Sequence, residues 1–290
     1  MSFRFIAALP CIVALAMTGA AHAQTPLANP WRLAQASQSC FLQRTYGSGA
    51  GKVDLLIQSF GPTSPYHFIL RGPGLPSDKD RARPARVGFG GEDAARDSVV
   101  LVGSAGGQPM VLITVAPPRP LTLMSWIYTY TAVKADFVVP LDKQAEELFV
   151  DFPDKDPITL PLGPISSEYD ALDACADKLA ESSALAATGH GPAASAPVLL
   201  HDKETIWHVS YPPNLLLNRI NGLVELRLTV DEKGRVRDCL IQNVTWVQQF
   251  GDDACRKFKE EARFEPARNA AGQEVPAAFR VAVMYIIYNW

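Results

Sequence analysis

The residues of this chain that invite a chemical reading are a glycine cluster, a set of late histidines and the cysteines, and spacing decides what each can do. Gly47-Ser-Gly-Ala-Gly51-Lys52 has the composition of a phosphate-cradling loop. A Walker loop needs glycine at the position of Tyr46 and serine or threonine at that of Val53, and a dinucleotide fingerprint needs glycine where Lys52 stands. The segment is therefore expected to be a hairpin turn. His190, His201 and His208 match no metal-ligand spacing. No GxSxG, HExxH or usefully spaced carboxylate pair accompanies them. The expectation is a non-enzymatic protein with no catalytic residues, no metal and no cofactor.

The cysteines acquire meaning from the N-terminus. Arg4 precedes an apolar run from Phe5 to Met17, and Ala21-His22-Ala23 offers small residues where a signal peptidase reads. Residues 1–23 are read as a signal peptide cleaved before Gln24. The alternative is an uncleaved anchor in the inner membrane, against which stand the shortness of the run and Pro10 within it. Cys11 follows Ala8-Leu9-Pro10, with proline where a lipoprotein signal has a small residue, so no lipid anchor is expected. Export leaves Cys40, Cys175, Cys239 and Cys255, an even number that favours disulfides over metal ligation or a free nucleophile. Four cysteines permit three pairings.

Composition divides the rest of the chain. With 290 residues, 48% of them hydrophobic, and a formal net charge of −3, it has room for two cores and too little basic character for nucleic acid. Residues 181–202, rich in Ala, Ser, Gly and Pro, read as a flexible linker with a reach of roughly 25 Å, enough for two neighbouring units to tumble independently. Residues 24–180 hold short apolar runs at Val53–Gln58, His67–Leu70, Ser98–Val102, Met110–Val115 and Glu147–Phe152, separated by glycine and proline. They predict an antiparallel sandwich or barrel-like sheet. A terminal helix from Ser167 to Leu179 would align Tyr169, Leu172, Ala176 and Leu179, with Cys175 beside them. Lys79, Arg81, Arg83 and Arg86 fall in a stretch read as an exposed loop, Pro76 to Arg86.

Residues 203–290 carry the clearest pattern. Val224, Leu226, Leu228 and Val230 alternate with Glu225, Arg227 and Thr229, as in a half-buried strand. Asp231-Glu-Lys-Gly234 turns the chain into a second strand, from Arg235 to Val244. Phe250, Ala254, Phe258 and Ala262 make an apolar helix stripe, with Pro266 as its stop. The run from Gln273 to Asn289 closes the unit as a strand apolar on both faces: Phe279, Val281, Val283, Tyr285 and Ile287 on one, Ala282, Met284 and Ile286 on the other. Such a strand is either sandwiched or has one face against a partner. The fold class expected is α+β, a mainly antiparallel β unit followed by a two-layer module of sheet and helix.

Tyr211-Pro212, the segment from Gly222 to Val236 and Arg263-Phe-Glu-Pro-Ala267 occur in the order that marks the C-terminal domain of TonB, and residues 205–290 resemble that family. The resemblance implies a periplasmic module that binds proteins. Some relatives carry cysteines at the places of Cys239 and Cys255, which implies that these two pair and leaves Cys40 for Cys175. Gly222, Asp231, Gly234, Phe264, Pro266 and Gly272 also match the family, as turn and core residues. Where relatives have Ser-Ser-Gly and Leu-Asp, this chain has Asn243-Val244-Thr245 and Phe250-Gly251, which moves the expected helix cap to Asp252 or Asp253.

In TonB complexes the N-terminal segment of an outer-membrane transporter adds as a strand to the sheet. By resemblance, the partner-binding residues are Tyr211, Pro212, Phe279, Val281, Val283 and Tyr285, with the free edge near the final strand; Tyr211 and Pro212 fit equally a packing role, the proline fixing the start of a helix and the ring lying on the sheet. The function expected is a non-enzymatic periplasmic adaptor tied to TonB-dependent outer-membrane transport or energy transduction. The alternatives are an anchored transducer with its N-terminal segment uncleaved, a hydrolase with an accessory TonB-like domain, and a homodimer formed through the same apolar strand.

Overall fold

The computed structural model describes residues 29–77, 81–118, 121, 123–128, 138–182, 193–200 and 210–287, with 123–128 and 181–182 described through their backbone alone. The signal-peptide reading, the three late histidines, Lys79 and most of the linker fall outside these residues. The fold is α+β and sheet-rich.

Short β-prone runs punctuated by glycine and proline build the first sheet. In chain order they are β1 (Arg32–Gln35), β2 (Cys40–Tyr46), β3 (Val53–Ser59), β4 (Tyr66–Arg71), β5 (Arg81–Phe89), β6 (Arg96–Ala105) and β7 (Gln108–Ala116). After β8 (Leu123–Tyr128) come β9 (Val139–Pro140), β10 (Glu147–Asp151), β11 (Ile158–Pro161) and helix α1 (Ser166–Ser182). The spatial order is β1-β2-β3-β4-β7-β6-β5-β10-β11, antiparallel throughout, with β9 alone parallel on β7. The two ends of this sheet meet. Trp31 Nε1 and Arg44 Nη1 both donate to the Leu162 carbonyl, at 3.1 and 2.7 Å, so the sheet curls into a barrel-like form. Its inner face packs Leu42, Leu55, Ile57, Phe68, Val87, Val102 and Val150 with Tyr169, Leu172 and Ala176 of α1. The Gly47–Lys52 cluster forms the turn between β2 and β3.

One expected loop is a strand. From Arg81 onward the basic stretch forms β5, because Ala85, Val87 and Phe89 alternate inward and each end of the strand finds a neighbour. Pro84 falls in the half that pairs only with β6, where a missing amide is tolerated. Arg83 meets Asp154 at 2.6 Å and lies over the Phe152 ring, so part of this positive charge is used internally.

The second sheet is β14-β13-β18-β8. After β12 (Val198–Leu199) and a short helix α2 (Pro213–Leu217) come β13 (Gly222–Val230), β14 (Val236–Val244) and α3 (Gln249–Glu261). Two minor strands, β15 (Phe264–Glu265) and β16 (Ala267–Arg268), precede β17 (Glu274–Val275) and β18 (Ala277–Ile287). Asp231 Oδ1 accepts from the amides of Lys233 and Arg235, and Gly234 takes φ +72°, which closes the β13–β14 hairpin. The helix begins one turn earlier than its expected cap. Gln248 stands at the N-cap without a side-chain bond, and Asp252 lies in the first turn, where its charge favours the positive helix end. The helix ends at Glu261, well before Pro266, and Ala262 is already extended. Two disulfides fasten the units, Cys40–Cys175 joining β2 to α1 and Cys239–Cys255 joining β14 to α3.

The doubly apolar strand β18 is sandwiched. One face, with Val281, Val283 and Tyr285, packs beneath α3 with Phe250, Ala254 and Phe258. On the other face Met284 and Ile286 join Leu223 against Val99, Leu101 and Leu112 of the first sheet. The two sheets are therefore docked, whatever freedom linker composition alone would allow. Gly103 on β6 has no side chain, and the Trp246 indole occupies the space that a Cβ would fill.

Candidate partner-binding site

The site suggested by the sequence lies around β18. Tyr211 is 3% exposed, and its ring meets Phe250 and Tyr285 edge-on at centroid distances of 5.6 and 5.4 Å. Its hydroxyl donates to the Ile220 carbonyl. Phe250 and Tyr285 stack on each other at 4.4 Å. Burial pushes the phenols of Tyr211 and Tyr285 well above the ordinary tyrosine range. Pro212, buried, sets the start of α2. Together these groups form a rigid aromatic floor rather than a presented surface. Tyr211→Ala should cost about 3 kcal/mol, the scale of losing a buried ring, whereas Tyr211→Phe should cost about 1 kcal/mol for its hydrogen bond. Urea denaturation of the oxidised protein measures both.

Val281, Val283 and Tyr285 are 0% exposed, and the half-buried Phe279 stacks edge-on against Phe264 at 4.8 Å. The structure thus brings five of the six sequence-derived residues, Tyr211, Phe279, Val281, Val283 and Tyr285, into one core, with Pro212 adjoining. Their side chains serve packing, so what this strand can offer an incoming chain is its backbone.

That backbone has two sides. β13 pairs with Ala277–Tyr285 along one of them, antiparallel and without a break. Along the other, Leu123–Tyr128 pairs in parallel with Ala282–Ile287, Ala282 opposite Leu123 and Ile287 opposite Tyr128. Among the described residues no strand pairs with Ala277–Val281 on that side. The expected free edge is thus an inner strand over its C-terminal half. Sequence periodicity could not reveal this, because the pairing joins segments far apart in the chain.

Across the sheet lies a polar contact that the sequence reading did not single out. His67 Nε2 of β4 stands 2.7 Å from Glu225 Oε1 of β13, and both side chains are 0% exposed. Phe60 meets the His67 ring edge-on at 5.7 Å. Nearby, Arg280 of β18 is 8% exposed and lies against Gly61. Burial, together with the like charge of Arg227, lowers its pKa to about 10, and Asp177 opposes that shift. Glu225 falls on the polar register of β13, and it is buried because the first sheet covers that face. Among the described residues no group of three or more His, Cys, Asp and Glu could hold a metal.

Residues 208–287 match the family model described as Gram-negative bacterial TonB protein C-terminal, which covers α2, both long hairpin strands, α3 and β18. No curated protein matches the chain.

Proposed function

We propose that the TonB C-terminal domain at residues 208–287 is a peptide-binding module that works in the periplasm, and that it recognises an extended segment of an outer-membrane transporter by strand addition along the outer side of β18. The family match supports a TonB-like role in outer-membrane transport or energy transduction and a place in the Gram-negative envelope. Among the described residues, which exclude the N-terminal apolar run, no helix is long and apolar enough to cross a membrane. The observation that carries the reading is the parallel pairing of Leu123–Tyr128 on Ala282–Ile287. It supports the reading, since an extended segment pairs with this edge while Val283 and Tyr285 of the same strand stay in the core. The β-rich N-terminal unit, docked on the opposite face of the module, acts as an adaptor that holds it and selects its partner.

Calorimetric titration of the oxidised full-length protein with synthetic peptides copied from transporter N-terminal segments tests this function. Saturable binding is expected, with little sensitivity to replacement of alternate outward side chains and strong sensitivity to backbone N-methylation. Absence of binding to every such peptide, including by protein whose β18 edge has been freed, would remove the transporter as partner.

A further inference from the structure

We infer that Leu123–Tyr128 is an intrachain occupant of the partner-binding edge, so that the protein is self-closed and an incoming strand must displace its own β8. The inference rests on the strand-addition reading above. Each peptide group on the outer side of Ala282–Ile287 can serve one neighbouring strand, and β8 spans six consecutive register positions there. An external strand and β8 are therefore mutually exclusive along that stretch.

Chain topology makes the occupant detachable. The first sheet is left at Ala116, the end of β7, and is re-entered at Val139, which pairs with Val115 of that same strand. The excursion between them starts and finishes side by side, and among its described residues β8 joins the second sheet. Withdrawal of β8 would leave the ladders of β4, β6 and β7 intact, and β18 would keep its full pairing with β13. The sequence Leu123-Met-Ser-Trp-Ile-Tyr128 is rich in strand-forming residues, as a segment made to occupy an edge should be. Left unpaired, the same edge would be a site for association between copies, so an internal strand also protects it.

Tethering fixes the size of the effect. A segment held by a short excursion acts at an effective concentration on the order of millimolar. A free peptide therefore sees only the small open fraction, and its apparent affinity falls by that fraction. Freeing the edge should tighten binding by roughly tenfold to a hundredfold.

The test uses oxidised full-length protein and a variant in which residues 123–128 are replaced by a Gly/Ser segment of equal length. The probe is a labelled peptide with the chain's own sequence from Leu121 to Tyr130, flanked by lysines for solubility. The variant should bind it at least about tenfold more tightly than the wild type. Amides of Ala282–Ile287 that face β8 should exchange faster in the variant and slow again when the peptide is added. Two adjacent substitutions, Met124→Pro and Ser125→Pro, give a milder check, since in a strand only alternate amides face a given neighbour. One of the two should tighten probe binding markedly more than the other. Equal binding of the probe by wild type and variant, or no binding by either, would overturn the inference. Binding of the probe to the variant while every transporter peptide fails would uphold self-closure and reject the transporter as partner.

Discussion

Replacing His67 with alanine should destabilise the folded protein by about 3–5 kcal/mol, the cost of leaving a buried carboxylate without its partner. His67 and Glu225 are fully buried between the two sheets, 2.7 Å apart, and among the described residues the remaining atoms His67 Nδ1 and Glu225 Oε2 find no hydrogen-bond partner. The pair is a buried polar contact between β4 and β13, within an interface that also packs Val99, Leu101, Leu112, Leu223, Met284 and Ile286. Desolvation makes the pair a poor source of net stability. The double variant His67→Leu, Glu225→Leu should consequently recover most of what the single variant loses, since two apolar side chains leave nothing unpaired. Urea denaturation of the three proteins measures this, together with whether the two sheets unfold in one transition or two. A loss below about 1 kcal/mol for His67→Ala would mean that water reaches Glu225 and that the docked interface is open in solution.

The second large effect is covalent. Changing Cys40 and Cys175 to alanine should cost up to about 5 kcal/mol in the chain-entropy model, because the bridge spans 135 residues. Loss of Cys239–Cys255, across 16 residues, should cost about 3 kcal/mol. The first bridge ties α1 to the first residue of β2, so its removal should loosen the N-terminal core before the C-terminal one. Hydrogen exchange of β2, β3 and α1 in the double variant reports this directly. Unchanged exchange there, with loosening confined to α3 and β14, would contradict the assignment.

Much of the C-terminal sheet could be read from alternation. Val224 to Val230 and the two faces of β18 lie where period-two spacing puts them, and the apolar stripe of α3 covers the face that holds Val281, Val283 and Tyr285. Both cysteine pairings also follow the reading, the second through family resemblance. What local pattern could not supply is anything that depends on partners distant in the chain. Glu225 has the register of a solvated residue, and only the docking of β4 buries it. The stretch from Arg81 reads as a solvated loop because Arg81, Arg83 and Arg86 stand among small residues and Pro84, yet Asp154 and the Phe152 ring make a strand tolerable there. The candidate site was legible as a strand but not as an occupied one. Tyr211, as consistent with partner contact as with packing in the sequence, has its ring enclosed by Phe250 and Tyr285.

Residue-resolved amide exchange of the oxidised full-length protein, with and without a saturating transporter N-terminal peptide, bears most directly on strand addition at β18. The expected result is a change confined to the outward amides of Ala282–Ile287 and to β8, which should lose protection as the peptide takes its place. Changes confined to the outer side of β14 or to the N-terminal sheet, with β8 still protected, would contradict it.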